Sequence, residues 1–412
     1  MKGVFKRLGP GLVTGAADDD PSGIATYSQV GAQFGYGLAW TMLFSYPLMV
    51  VIQEISARIG CVTGRGIAEN LRAHYPPWLL RGCVALLLVA NAINLGADLG
   101  AMGAALQLLV HGPVALYPPI FGLASVLLEI FLSYARYARV LKWATLSLFA
   151  YVAVVFTAQV SWGPALHDTL VPKLAWDAPH AMAMVALLGT TISPYLFFWQ
   201  AGQEVEEQRR RGVPALVADS RGAAVEFSRI RFDTVIGMGF SNGIALCIII
   251  ATAATLHASG ITDIQTSSQA AQALRPVAGD LSFALFALGI VGTGMLAVPV
   301  LAGSAAYAVS ETFGWREGLD QRPRKAKAFY ATIAAGTLCG VALNAVSIDP
   351  IRALYWSAVV NGILAAPLMA VMLLVAVNPR VMGRLTLSPA MRAGGWVATL
   401  VMALASVAFF AL

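Results

Sequence analysis

Charge is scarce in this chain: only 12% of its 412 residues are Asp, Glu, Lys or Arg, about half the share in an ordinary soluble domain. Hydrophobic residues make up 58%, and the mean hydropathy is +0.72. No soluble core could hide that much apolar surface, which excludes a soluble protein. Cysteine is sparse as well. The four residues Cys61, Cys83, Cys247 and Cys339 stand alone without a Cys-x-x-Cys pair, which argues against a thiolate metal or redox centre and leaves them as small apolar packers. The five histidines, His74, His111, His167, His180 and His257, all fall in loops or at the ends of apolar segments, so no imidazole is expected at membrane depth. There is no His-Glu-x-x-His zinc motif, and scattered aspartates specify no reaction. An enzyme is not expected, nor a resident cofactor.

Long apolar runs are what the chain has instead. Spanning a bilayer takes about 20 mostly apolar residues. Eleven segments meet that measure, near 8–31, 36–58, 80–110, 117–134, 140–160, 180–203, 233–256, 279–310, 326–344, 351–376 and 392–411. They continue to the last residues, so 1–412 reads as a single all-α membrane domain with no separate soluble module. The basic residues test the count independently, because cytoplasmic loops collect Lys and Arg. With the N-terminus inside, 24 of the 27 fall on the cytoplasmic side. They include Lys2, Lys6, Arg7, Arg136, Arg139, Lys142 and the run Arg209 to Arg211. Only Lys173, Arg275 and Arg352 remain outside. The expected placement is a multi-pass cell-membrane protein with a cytoplasmic N-terminus, an external C-terminus and Met1 retained. The net charge of +6 follows from the same asymmetry. It points to the lipid bilayer rather than nucleic acid as the partner.

The apolar pattern breaks twice. In the first segment, Gly15-Ala-Ala-Asp-Asp-Asp-Pro-Ser-Gly23 puts three carboxylates, a proline and two glycines in mid-span. A charge there costs at least about 2.5 to 3.5 kcal/mol, so an intramembrane acid is a functional candidate. Pro21 removes a donor and Gly23 tolerates any backbone conformation, so an unwound stretch is expected. The sixth segment has a matching interruption, Gly189-Thr-Thr-Ile-Ser-Pro194. A lone Pro194 would read as a simple kink. Paired breaks at the heads of two five-helix halves are instead the sequence pointer to a transporter site. Carbonyls freed at two half-helix C-termini suit a cation. Asp18 and Asp19 cannot both face the point Asp20 faces, and one or both should meet a vestibule or a polar partner.

These residues resemble the Nramp family of divalent metal transporters, whose first helix carries Asp-Pro-Gly-Asn and whose sixth carries Ala-x-x-Met-Pro-His. The resemblance extends to Gly9-Pro-Gly11, Ala25-Thr26, Gly31-Ala-Gln-Phe-Gly-Tyr36, Gln53, Thr63-Gly64 and Ala97-Asp98-Leu99. It covers about residues 8–105 and 185–203. It implies a LeuT-type fold of eleven transmembrane helices, with inverted five-helix repeats near 8–160 and 180–376 and one extra helix near 392–411. The metal would lie between the first and sixth helices. Carried over by position, Asp20 and Pro21 keep the motif, Ser22 replaces its glycine and Gly23 replaces the asparagine ligand. Ser193 takes the methionine position, Tyr195 and Gln200 those of two histidines, and Ala101 that of a glutamate. The implied ligands are the Asp20 carboxylate, the Ser193 hydroxyl and the carbonyls of Ala17 and Thr190, with Gly23 and Asp98 beside them. Asp19, Thr191, Tyr195, Gln200 and Asn361 are possible lining residues.

Losing methionine removes the soft ligand and leaves oxygen donors, in a cavity enlarged by glycine and serine. Such a site suits a cation that keeps part of its water, as Mg²⁺ does. The pattern is similar to the Nramp-related magnesium transporters, which also carry Mn²⁺. Without imidazole at depth and with Ala101 lacking a carboxylate, potential-driven uptake without proton coupling is expected. The alternatives are a proton-coupled Mn²⁺ or Fe²⁺ importer and, keeping only the fold, a sodium-coupled carrier of organic solutes. Asp98 could serve the cation or be an ordinary buried acid. Asn361 could face the site or tie two helices together. Glu54 should pair with Arg58, and Glu204, Glu206 and Glu207 read as a solvated helix end paired with the nearby arginines, ahead of a role in attracting cations at the inner mouth.

Overall fold

The computed structural model describes residues 10–110, 112–131, 146–345 and 349–412. The expectations for Lys2, Lys6, Arg7, Gly9, His111, Arg136, Arg139 and Lys142, and for the facing ends of the fourth and fifth segments, lie outside the described residues. All regular structure among the described residues is helical, as lipid demands of a chain that must bond every backbone N–H within its own segment. In chain order the main helices are α1 (Pro10–Asp18), α2 (Pro21–Phe34), α3 (Trp40–Thr63), α4 (Ile67–His74), α5 (Pro77–Gln107), α6 (Tyr117–Phe131), α7 (Phe149–Thr157) and α8 (Trp162–Leu170). They continue with α9 (Ala178–Thr191), α10 (Pro194–Arg211), α11 (Ala223–Thr255), α12 (Ser282–Phe313), α13 (Lys327–Leu343), α14 (Pro350–Val377) and α15 (Pro389–Ala411).

Eight spans among the described residues are long and apolar enough to cross a bilayer, or nine if the pair Leu146–Thr157 and Trp162–Leu170, bent by 119°, counts as one. The eleven expected from hydropathy exceed that number in two places. The first segment is divided into α1 and α2, and α13 has only 17 residues. The sixth segment is central: 89% of the most apolar window of Ala178–Arg211 is buried, against 22% for Val114–Phe131 and for Pro389–Ala411. The last helix therefore lies at the periphery, showing Trp396, Leu400, Leu404 and Phe410 to its surroundings.

Glycines set how closely the broken helices approach their neighbours. Gly11 and Gly15, four residues apart on α1, meet Gly237 of α11 so tightly that a Cβ on Gly15 or Gly237 would enter the opposing backbone. This is the small-xxx-small contact of membrane helices. Gly189 near the end of α9 lies in the same way against Ala358 and Gly362 of α14, and Gly60 of α3 against Ala201 of α10. The start of α1 is held from a distance: the Gly11 and Leu12 N–H groups donate to the Asp233 carboxylate of α11 at 2.7 and 3.1 Å. That satisfies two of the donors a helix start leaves open.

One expectation is corrected here. Glu204 and Glu206 are buried rather than solvated, because α10 continues to Arg211 and packs against α3 and α12. Glu204 pairs with Arg229 at 2.5 Å, and Arg229 and Arg211 share Glu226. Glu206 accepts from the Tyr307 hydroxyl and the Leu319 N–H. Glu54 pairs with Arg58 at 2.6 Å.

The helix crossing makes a prediction. Gly15→Val should weaken the α1 to α11 contact by about 1–3 kcal/mol, the usual cost of overpacking. Gly243→Ala on the same α11, whose added Cβ meets nothing within 4 Å, should be neutral. Melting curves of the purified variants in detergent would show it, and equal midpoints for the two would refute it.

Candidate functional site

Both breaks are two residues long and share one design. α1 stops at Asp18 and α2 starts at Pro21, while α9 stops at Thr191 and α10 starts at Pro194. Each proline is the first residue of its second half-helix, where no donor is missed. Each forces the preceding residue, Asp20 or Ser193, into extended backbone (ψ 171° and 133°). The unwound stretch is thus confined to two residues in each span. Ala17 is still helical, and Gly23 lies in the first turn of α2, donating its N–H to Asp20 Oδ1 at 2.7 Å. Asp20 therefore sits on the positive end of a half-helix, where an anion is stabilised.

The second break closes on the first. The Tyr195 hydroxyl lies 3.1 Å from Asp20 Oδ2 and 3.4 Å from the Ala17 carbonyl. A Cβ on Gly23 would stand 3.1 Å from Thr190 Oγ1 and 3.5 Å from the Asp18 carbonyl. Asp20, Ala17, Gly23, Thr190 and Tyr195 thus form one cluster, all buried. Ser193 is at the edge of it, its hydroxyl donating back to the Gly189 and Thr190 carbonyls at 2.8 and 3.0 Å, so its lone pairs are what it offers a cation. Asp98 of α5 is fully buried, within electrostatic reach of Asp20 and the Ser22 backbone. Among the described residues no three His, Cys, Asp or Glu side chains gather as a metal cluster. A cation at Asp20 would therefore depend on hydroxyl and carbonyl oxygens.

Other candidates are placed elsewhere. Asp19 turns with Asp18 toward α11, where the Ser241 hydroxyl bonds both, at 3.0 and 2.6 Å. Thr191 donates back to Leu187 of its own helix at 3.0 Å. Gln200 is engaged by Thr14 and Glu204 and is not joined to Asp20. Asn361 is buried beside Gly362, the residue Gly189 packs against. Sequence reasoning missed Ser241 and the Ser22 hydroxyl, which bonds Leu354 and Ser357 of α14. The isolated pair Ser241-Asn242 inside an apolar run was the available signal. Gly239-Phe-Ser-Asn-Gly243 also spells Gly-x-Ser-x-Gly, but it lies within the continuous helix α11, not on the strand-to-helix turn a nucleophile elbow requires.

Solved structures share this architecture. The manganese transporter of Eremococcus coleocola superposes with a TM-score of 0.75 at 17% identity, covering 100% of this chain and 87% of that one. Mhp1, a nucleobase-cation-symport-1 family transporter, superposes with a TM-score of 0.56 at 13% identity, covering 98% and 92%. These likenesses give the chain the all-helical fold of the LeuT type. The chain belongs to the Nramp family, since the sequence profile of the Natural resistance-associated macrophage protein-like family matches residues 11–412. Relatives named divalent metal cation transporter MntH include that of Burkholderia ambifaria, 29% identical over 96% of this chain and 86% of its own length. That of Verminephrobacter eiseniae is 30% identical over 70% of this chain and 64% of its own length.

Ser241 supplies the hydrogen bonds that hold Asp18 and Asp19 against α11, so Ser241→Ala should cost about 1–3 kcal/mol of stability. Divalent-metal uptake should persist. Melting curves paired with an uptake assay check this; loss of transport in a variant of unchanged stability would move Asp18 and Asp19 into the translocation site.

Proposed function

We propose that this chain carries Mg²⁺ and Mn²⁺ across the membrane by alternating access, without moving protons and without enzymatic chemistry. The carrying observation is the donor set around Asp20: one carboxylate with the Tyr195 hydroxyl, the Ala17 carbonyl and Thr190 nearby, and neither sulfur nor imidazole among them. Hard oxygen donors in small number suit an ion that retains water. The described histidines lie at helix ends or beyond, His74, His167, His180 and His257 alike, so no imidazole among the described residues lies at depth to relay a proton. The two breaks would head the repeats near 8–160 and 180–376, and rocking one against the other would open Asp20 to either side. Moving two charges inward contributes about 4.6 kcal/mol per 100 mV, twice the single-charge value. A second reading, manganese uptake of the proton-coupled kind, takes its support from the manganese transporter whose fold this chain shares.

Uptake into proteoliposomes separates the two. With Mg²⁺ and Mn²⁺ tested singly at fixed potential, both ions should enter with no change of internal pH. Mn²⁺ entry with acidification and no Mg²⁺ entry would establish the proton-coupled reading instead. Asp20→Ala should abolish uptake while the protein stays folded, and a fully active variant would sink the site. Ser193→Met should raise Mn²⁺ and Cd²⁺ over Mg²⁺; an unchanged ion profile would count against Ser193 as a ligand.

The split of Lys and Arg further supports a cytoplasmic N-terminus and an external C-terminus. A C-terminal alkaline phosphatase fusion should then be active and a C-terminal green fluorescent protein dark, and the opposite pair of results would invert the topology.

A further inference from the structure

Beside the breaks, α5 carries a polar stripe of which the site described above absorbs only Asp98. Asn91, Asn94 and Asp98 recur at spacings of three and four, which puts them on one face of the helix. All three are buried. Asn91 is anchored, its Nδ2 donating to the Leu301 carbonyl at 2.9 Å and to Ser304 Oγ at 2.7 Å on α12. Asn94 is different: both its amide atoms are buried without a hydrogen-bond partner, one turn from the Asp98 carboxylate, which lies against the Ser22 backbone N–H. Two unpaired polar atoms on one buried side chain contradict the rule that buried polar groups are bonded. Burying them without partners costs far more than a helix contact returns. Something polar must meet them in the working protein.

The position of the stripe says what. Met102, one turn on from Asp98, meets Gly294 of α12 together with Pro21, so the stripe begins next to the break. Helix α5 runs antiparallel to α12, with Met102 near Gly294 and Pro21 at one end and Asn91 near Leu301 and Ser304 at the other. From Asp98 the polar face leads through Asn94 to Asn91, away from the break and toward the Pro77 end of α5. A carboxylate next to a side-chain carbonyl attracts cations, and an amide N–H beside it can bond the water such an ion carries. We propose that Asn94 and Asp98 form a second station for a hydrated divalent cation, which the ion reaches after leaving Asp20 and which holds it through its water. The proposal rests on the divalent-cation reading and adds the residue that favours ions retaining their hydration.

Two measurements test it. In proteoliposomes, Asn94→Leu should lower Mg²⁺ uptake about tenfold, and Mn²⁺ uptake, which depends less on retained water, distinctly less. Equal uptake of both ions by a folded Asn94→Leu protein would overturn the proposal, as would an equal loss for both. Should Asn94→Leu fail to fold, the near-isosteric Asn94→Asp keeps the question open to experiment. Placed on an Asp20→Ala background, Asn94→Asp should restore Mn²⁺ binding in detergent, followed by the electron paramagnetic resonance of the bound ion. Absence of that regained binding in folded protein would also overturn it. The divalent-cation reading itself is decided separately, by whether Asp20→Ala alone abolishes uptake.

Discussion

A carboxylate at the depth of Asp20 is the constraint to which the rest of the structure answers. An anion cannot stay in a low-dielectric interior unless local dipoles or a counter-ion meet it. Here the dipoles come from cutting the helix. The break at Asp19-Asp20 leaves the start of α2 directly behind the carboxylate, with the Gly23 N–H on one oxygen and the Tyr195 hydroxyl on the other. The same cut leaves the end of α1 with carbonyls that only a cation or a donor can satisfy. One device therefore makes the charge tolerable and creates the demand for its counter-ion.

The remaining architecture keeps that cut in place. A broken span has no continuous hydrogen-bond ladder, so its halves must be held by neighbours. α1 is held to α11 through Gly11, Gly15 and Gly237, with Asp233 on its first amides. α9 is held to α14 through Gly189, and α10 by the Glu204–Arg229 pair. Backbone contacts of this closeness depend on the absence of side chains. That is why glycine recurs wherever a broken helix meets an intact one.

Much of this was legible in the sequence because membrane solvation is a severe filter. The apolar runs and the two Pro-marked breaks follow from the cost of polar groups in lipid, and both breaks fall at the expected prolines. Direction of a side chain was not legible. Asp18, Asp19 and Asp20 are adjacent in sequence, yet two turn to Ser241 and one to Tyr195, a choice made by which neighbouring helix presents a hydroxyl. Gln200 belongs to the motif by position but is taken by Thr14 and Glu204. The burial of Glu204 and Glu206 was missed for a related reason: hydropathy marks where an apolar run ends, whereas the helix continued with its charges paired.

The number of donors bears on ion choice as well as their identity. With glycine at position 23 and Ser193 turned back on its own helix, few protein oxygens converge on the point Asp20 faces. An ion stripped of its water would be left under-coordinated. Mg²⁺ loses water reluctantly and prefers octahedral surroundings with one or two carboxylates, so it tolerates such a sparse site best when solvent completes its shell. A site that admits water needs polar groups along the way to carry that water with the ion. The unbonded amide atoms of Asn94, beside the Asp98 carboxylate, lie where that requirement falls. On this reading, the loss of ligands at the breaks and the surplus of polar groups on α5 are two sides of one adaptation.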